Sequence, residues 1–232
     1  MVHENQMLDL LQKDLDEHHA APKTINIQDT QFIPSILAAF NRQDRAHPNG
    51  KSSHPQRAAG ESLATGIQGQ LGTIVNTKQT HWFALVLDFS CGVIWYGDSL
   101  HWSTDAKIRS AIEWWIQEYT SAPFTHKTMP VTYQRDSVSC GLLAWNSLSH
   151  HFLPAIHPLI NPLDVAEARL RVLLSVCKRH QMEVSVYQTG LNYLPNVMKD
   201  GKKKMRAMGH IDTASKSLVN HHQIRMSAQT SR

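Results

Sequence analysis

Residues 133 to 141 read Tyr133-Gln134-Arg135-Asp136-Ser137-Val138-Ser139-Cys140-Gly141, and the chain runs on through the apolar stretch Leu142, Leu143, Ala144, Trp145. Ser137 and Ser139 are both competent N-cap residues, Asp136 adds a carboxylate for the first turn, and the apolar run that follows marks a helix opening at Cys140. At a helix start the first backbone N–H groups lack partners and the macrodipole is positive, so an anion is favoured there. A thiol in that setting can serve as a nucleophile. The plainer alternative is a buried cysteine on an amphipathic helix, and the residues that could serve such a thiol decide between the two.

A thiolate nucleophile needs an imidazole in reach, a group that orients the imidazole, and a donor for the oxyanion. His81 opens the β-prone run His-Trp-Phe-Ala-Leu-Val-Leu-Asp, at a strand edge. Asp98 falls near the end of the next run, Val93-Ile94-Trp95-Tyr96-Gly97-Asp98-Ser99-Leu100, with Cys91 and Gly92 in the turn between. The two runs read as a hairpin, and antiparallel pairing brings the start of the first beside the end of the second. His81 and Asp98 then become neighbours. Gln134, six residues before Cys140, is near enough for its side-chain amide to join the Cys140 backbone N–H in an oxyanion hole.

With these residues in place the chain resembles the ubiquitin-like-protein-specific cysteine proteases, the family that includes SUMO proteases and adenovirus-type endopeptidases. His-Trp opening a strand, Asp-Ser-Leu ending the next, Gln six residues before Cys, and Cys-Gly opening a helix occur in that order between residues 71 and 152. The resemblance implies His81 as general base, Asp98 as its orienting carboxylate, Cys140 as nucleophile, Gln134 as oxyanion donor and Trp82 as a wall of the substrate channel. It also implies an α+β fold related to the papain-like core, with the order permuted to His, Asp, Cys. Its sheet is mixed and mainly antiparallel, packed on helices, and the nucleophile stands at the N-terminus of a central helix. Papain-like enzymes themselves run Cys, His, Asn. Two departures stand out. Ser139 occupies a position where many members carry Asp, a swap between two capping residues. Members that cleave after Gly-Gly usually enclose the substrate tail with a second, early Trp, and residues 1 to 80 contain none; Phe32 is the aromatic candidate for that place.

At 232 residues and 41% hydrophobic content the chain is expected to form one catalytic domain over residues 1–198, with 43–69 as a mobile loop and 199–232 as a disordered basic tail. From Lys199 onward eight Lys or Arg face two Asp, a net of +6; with +4 for the whole chain, residues 1–198 carry −2. Lys202, Lys203, Lys204 and Arg206 form the densest cluster. A nuclear-localisation or nucleic-acid patch is one reading, a solvated terminus the other, and nucleic acid is not the expected partner. No stretch approaches the roughly 18 apolar residues of a membrane span. The N-terminal residues lack the basic and apolar regions of a secretory signal, so an intracellular, nuclear or cytoplasmic setting is expected. Three cysteines do not suggest a disulfide framework, and the histidines lack the cysteine pairs of a zinc site. The chemistry needs no metal or cofactor.

In chain order, residues 4–19 and 31–42 have helical apolar spacing, with Phe32 early on the second helix and Pro34 tolerable in its first turn. Residues 43–69, with Pro48, Gly50, Pro55 and Gly60, read as a long loop. Leu71 to Thr77 is a strand leading to His81, and the hairpin follows. A helix from about Ser103 carries Ile108, Ala111, Ile112, Trp115, Ile116 and Tyr119 on one face. Lys127 to Tyr133 is a short strand. A last helix, Leu163 to about His180, is expected to turn Ala166, Leu170, Leu173, Leu174 and Cys177 inward. Cys91 is expected to be exposed. The resemblance implies a monomeric hydrolase that cleaves after the C-terminal glycine of a ubiquitin-like modifier by Cys-His-Asp acyl transfer. The alternatives are a catalytically silent modifier-binding module and an acetyltransferase using the same triad.

Overall fold

The computed structural model describes residues 2–18, 24–42, 54–77, 80–182 and 185. Residues 1–177 form one compact unit and 178–232 a second. Within the second, only residues 178–182 and 185 are described, all helical. The sequence reading of a basic tail over 199–232 lies outside the described residues, as does residues 43–53 of the expected loop.

In chain order the first unit contains α1 (Val2–Glu17), β1 (Ile25–Ile27), α2 (Phe32–Asn41), α3 (His54–Ala64), β2 (Gln70–Thr77), β3 (His81–Asp88), β4 (Val93–Gly97), α4 (Ala106–Gln117), β5 (Thr125–Thr128) and α5 (Cys140–Phe152). We label α6 the helical residues 165–177. The strands form one sheet in the order β1-β2-β3-β4-β5. β2, β3 and β4 pair antiparallel, while β1 and β5 add parallel at the two edges. The sheet is therefore mixed, with the longer pairings antiparallel.

β3 is the buried spine, every residue of it buried. A strand covered on both faces reads as a continuous apolar run rather than an alternation, and Phe83 to Leu87 is such a run. Alternate side chains of β3 serve two cores. Phe83, Leu85 and Leu87 join Phe32, Ile36, Ile112 and Trp115 of α2 and α4. On the other face Trp82, Ala84 and Val86 join Leu8, Leu11 and Leu15 of α1 and Cys140, Ala144 and Leu148 of α5. Gly97 lets α5 lie against the sheet: a Cβ there would stand 2.2 Å from Ser147 Oγ and 2.8 Å from Met129 Cγ. α1 is tied to α5 by Trp145, whose indole N–H donates to the Met7 carbonyl at 2.8 Å.

Several sequence expectations change. Residues 54–64 are helix, not loop: Pro55 sits in the first turn, where a missing N–H costs nothing, and Ala59 and Leu63 are buried against the first core. The fourth helix begins at Ala106 rather than Ser103, because Asp105 accepts from the Lys107 and Ile108 N–H groups and caps it. The fifth strand is Thr125–Thr128, earlier and shorter than Lys127 to Tyr133. α6 shows Leu170, Leu173 and Leu174 exposed, and Cys177 is exposed rather than a core thiol. Phe32 packs edge-on against Trp115, ring centres 5.6 Å apart, in the core on the face away from Trp82 and Cys140, so it cannot replace the early Trp. Cys91 is exposed as expected.

Candidate active site

His81 is the first residue of β3, and Asp98 follows the last residue of β4. The β3–β4 register sets Ala84 opposite Gly97, so the strand ends carry the two side chains together. His81 Nε2 lies 2.8 Å from Asp98 Oδ1, and the same oxygen accepts the Leu100 backbone N–H at 2.8 Å. The carboxylate is thus held by the turn that follows it, and it in turn fixes the imidazole through one nitrogen. His81 is only 3% exposed. The turn closes with the His101 N–H donating to the Asp98 carbonyl, and His101 takes a φ of 54°, a left-handed conformation uncommon for a side-chain-bearing residue. Trp102 then lies beside His81, ring centres 5.0 Å apart. The sequence reading missed Trp102; its place three residues after Ser99 was the available signal.

Gln134 is buried and held at both ends of its amide. Its Oε1 accepts from Ser99 Oγ at 3.0 Å, its Nε2 donates to the Asp136 carbonyl at 2.6 Å, and its backbone N–H donates to the Ser99 carbonyl at 2.9 Å. The Asp136 carbonyl, which can only accept, therefore sets which end of the amide is donor, and the second Nε2 hydrogen has no partner among the described residues. Ser99, legible in the sequence only as part of Asp-Ser-Leu, ties Gln134 to the turn that carries Asp98.

Cys140 opens α5 from the loop 134–139 and is 7% exposed. The helix start differs in detail from the sequence expectation. Ser139 stands at the N-cap with helical angles and makes no side-chain cap. Asp136 instead accepts the Val138 and Ser139 N–H groups at 2.9 and 2.8 Å, and the Ser139 hydroxyl as well. The Ser139 hydroxyl, ahead of the two backbone donors, holds the Asp136 carboxyl below its usual range. Cys140 shares the α5 face of the sheet with Trp82. Among the described residues no hydrogen bond joins its sulfur to His81, and catalytic contacts are often long before substrate binds.

Beside Cys140 a cavity of about 370 Å³ is lined from α1 by Glu4 and Met7, from β3 by Trp82, from α5 by Cys140, and from α6 by Arg169 and Leu173. A Cβ on Gly141 would lie 3.6 Å from both Glu4 Oε1 and Trp82 Cδ1, so α1 faces Trp82 across the helix start. No group of His, Cys, Asp and Glu suited to a metal occurs among the described residues.

Residues 3–172 match the model of the Ulp1 protease family, C-terminal catalytic domain. The chain belongs to the Ulp1 protease family. It carries that family's cysteine protease domain, and the fold agrees. The X-ray structure of the C-terminal Ulp1 protease domain in complex with Smt3, the yeast ortholog of SUMO, is 14% identical, with a TM-score of 0.51 over 74% of this chain and 75% of that one. A SUMO protease Ulp1 with its catalytic cysteine oxidised to a sulfenic acid is 14% identical, with a TM-score of 0.54 over 76% and 77%. A de-sumoylating protease is also 14% identical, with a TM-score of 0.50 over 86% and 83%. Among curated proteins no sequence matches this chain. No helix among the described residues is long and apolar enough to cross a membrane.

Proposed function

We propose that the domain is a peptidase or isopeptidase that cleaves after the C-terminal glycine of a ubiquitin-like modifier of the SUMO type. The observation that carries the reading is the 2.8 Å contact between His81 Nε2 and Asp98 Oδ1, made where the paired strands β3 and β4 end, in the sheet whose α5 face holds Cys140. Asp98 fixes the ring and its tautomer, so that Nδ1 is the nitrogen that takes a proton.

The modifier's tail enters the cavity between Trp82 and α1, which brings the carbonyl of its last glycine to Cys140. The sulfur attacks that carbonyl as His81 takes the thiol proton. The tetrahedral oxyanion accepts hydrogen bonds from the Cys140 backbone N–H and the free Nε2 hydrogen of Gln134. Collapse breaks the C–N bond; the imidazolium returns its proton to the departing amine, and a thioester on Cys140 remains. Water then attacks the thioester, His81 accepts its proton, and breakage of the C–S bond returns the thiol and releases the modifier's carboxylate.

The test is release of a C-terminal fluorogenic amide from SUMO, ubiquitin and other modifiers in parallel, by the wild type and by Cys140→Ala and His81→Ala variants. SUMO is the expected substrate, with release abolished in both variants. Release from no modifier contradicts the reading. Tight capture without turnover would then identify a binding module, and acetylation of Cys140 by acetyl-CoA a transferase.

A further inference from the structure

The loop 134–139 delivers both groups assigned to the oxyanion, the Gln134 amide and the Cys140 backbone N–H, yet it has no regular secondary structure. Ser99 holds its start at Gln134, and the contact that holds its other end comes from far along the chain. Arg169 of α6 donates from Nη2 to Ser139 Oγ at 2.6 Å, and the same nitrogen lies 4.0 Å from Asp136 Oδ2. The Ser139 hydroxyl donates onward to Asp136. Asp136 closes the chain by binding the Val138 and Ser139 N–H groups, while its own carbonyl receives Gln134 Nε2. Ser139 is 1% exposed, so water cannot readily substitute for either of its partners.

We propose that Arg169 is a positioning residue, which, through the buried Ser139 hydroxyl and the Asp136 carboxylate, holds the loop 134–139 with the Gln134 amide and the Cys140 N–H converging on one point. This rests on the peptidase reading above. It also accounts for Ser139 standing where a carboxylate is common in the family: here the carboxylate comes from Asp136, one turn earlier, and the hydroxyl joins it to the guanidinium. Both ends of the Arg169–Asp136 pair are about half exposed, a setting in which an ion pair contributes little. The effect is therefore one of geometry, carried by the hydrogen bonds on Ser139. One nitrogen makes both contacts, so any long cationic donor that reaches Ser139 Oγ can serve.

The test compares Arg169→Met, Arg169→Lys, Ser139→Ala and the Ser139→Ala/Arg169→Met double variant, each first shown to melt cooperatively. On the modifier amide, Arg169→Met should lower kcat about tenfold with KM within about twofold, because a small displacement of the donors affects the transition state more than substrate binding. Arg169→Lys should recover most of the loss. The double variant should be no worse than the poorer single variant, since both changes break the same link. A readout that needs no substrate separates this proposal from the peptidase reading: exchange of the Val138 and Ser139 amide hydrogens should quicken about tenfold in Arg169→Met. Unchanged exchange with unchanged kcat would overturn the proposal. A rise in KM alone would make Arg169 a substrate contact instead, and multiplicative losses in the double variant would show that the two residues act separately.

Discussion

Replacing Gln134 by Ala removes the donor proposed for the oxyanion and, at the same time, the acceptor of a buried hydroxyl. The two losses appear in different assays. Loss of one oxyanion donor costs about 10² to 10³ in kcat, or about 3 to 4 kcal/mol of transition-state stabilisation. The Ser99 hydroxyl, 1% exposed and bonded to Gln134 Oε1, is left without its partner. That costs about 1 to 3 kcal/mol of folding stability, or about 2 to 12 °C in melting temperature for a domain of this size. Gln134→Glu separates the two effects. It keeps an acceptor for Ser99 but replaces the donor with an oxygen facing the Asp136 carbonyl. If donation matters, Glu is at least as inactive as Ala; if it does not, both variants keep kcat near wild type at temperatures where melting shows them folded. Steady-state turnover of a modifier amide, measured beside thermal melting, decides the matter. An alanine variant within about threefold of wild-type kcat would remove Gln134 from the mechanism.

Other outcomes follow from the same structure. Burial lowers the His151 imidazole from its ordinary 6.5, with His150 adding to the effect and Asp88 opposing it, where the ring sits between Trp95 and Phe152. The unfolded chain therefore takes up this proton at higher pH than the folded one, so the contribution to stability is complete above about pH 6.5 and fades as pH falls through the folded-state value. His151→Phe should flatten that part of the melting profile, and an unchanged acid slope would show that burial of this ring is not responsible. Truncation after Met198 should leave melting temperature and turnover nearly unchanged, since the family match ends at residue 172; unfolding of the truncated chain would place the tail in the core.

The candidate site was largely legible in the sequence because His81, Asp98 and Cys140 lie at the ends of strongly patterned elements. β3 is an unbroken apolar run, β4 returns through Cys91 and Gly92, and α5 follows two serines; those three elements carry His81, Asp98 and Cys140. What the sequence concealed was tertiary. β1 is three half-buried residues, too short for a period to emerge. α3 is rich in polar residues and contains Gly60, whose missing side chain makes room for the Tyr119 ring, so composition alone reads it as loop. α6 carries leucines at helical spacing that would suit a core, yet Leu170, Leu173 and Leu174 stay exposed, Leu173 lining the open cavity beside Cys140, while the α5 side of the sheet is packed by α1. The same packing puts Phe32 on the wrong face and gives Glu4 and Met7, rather than an aromatic residue, the place opposite Trp82. Arg169 left no local signal, since Ser139 lies 30 residues earlier in the chain and meets it only in the folded domain.

The central claim, that Cys140 attacks the carbonyl at a modifier's C-terminus, is tested most directly by a SUMO probe whose terminal glycine is replaced by an electrophile, followed by peptide mapping of the adduct. Cys140 opens α5, while the exposed Cys91 and Cys177 stand at no helix start, in the β3–β4 turn and late in α6, so one probe per chain is expected, attached at Cys140, with no adduct in Cys140→Ala and strongly slowed labelling in His81→Ala. An adduct at Cys91 or Cys177, or labelling that persists in Cys140→Ala, would contradict it.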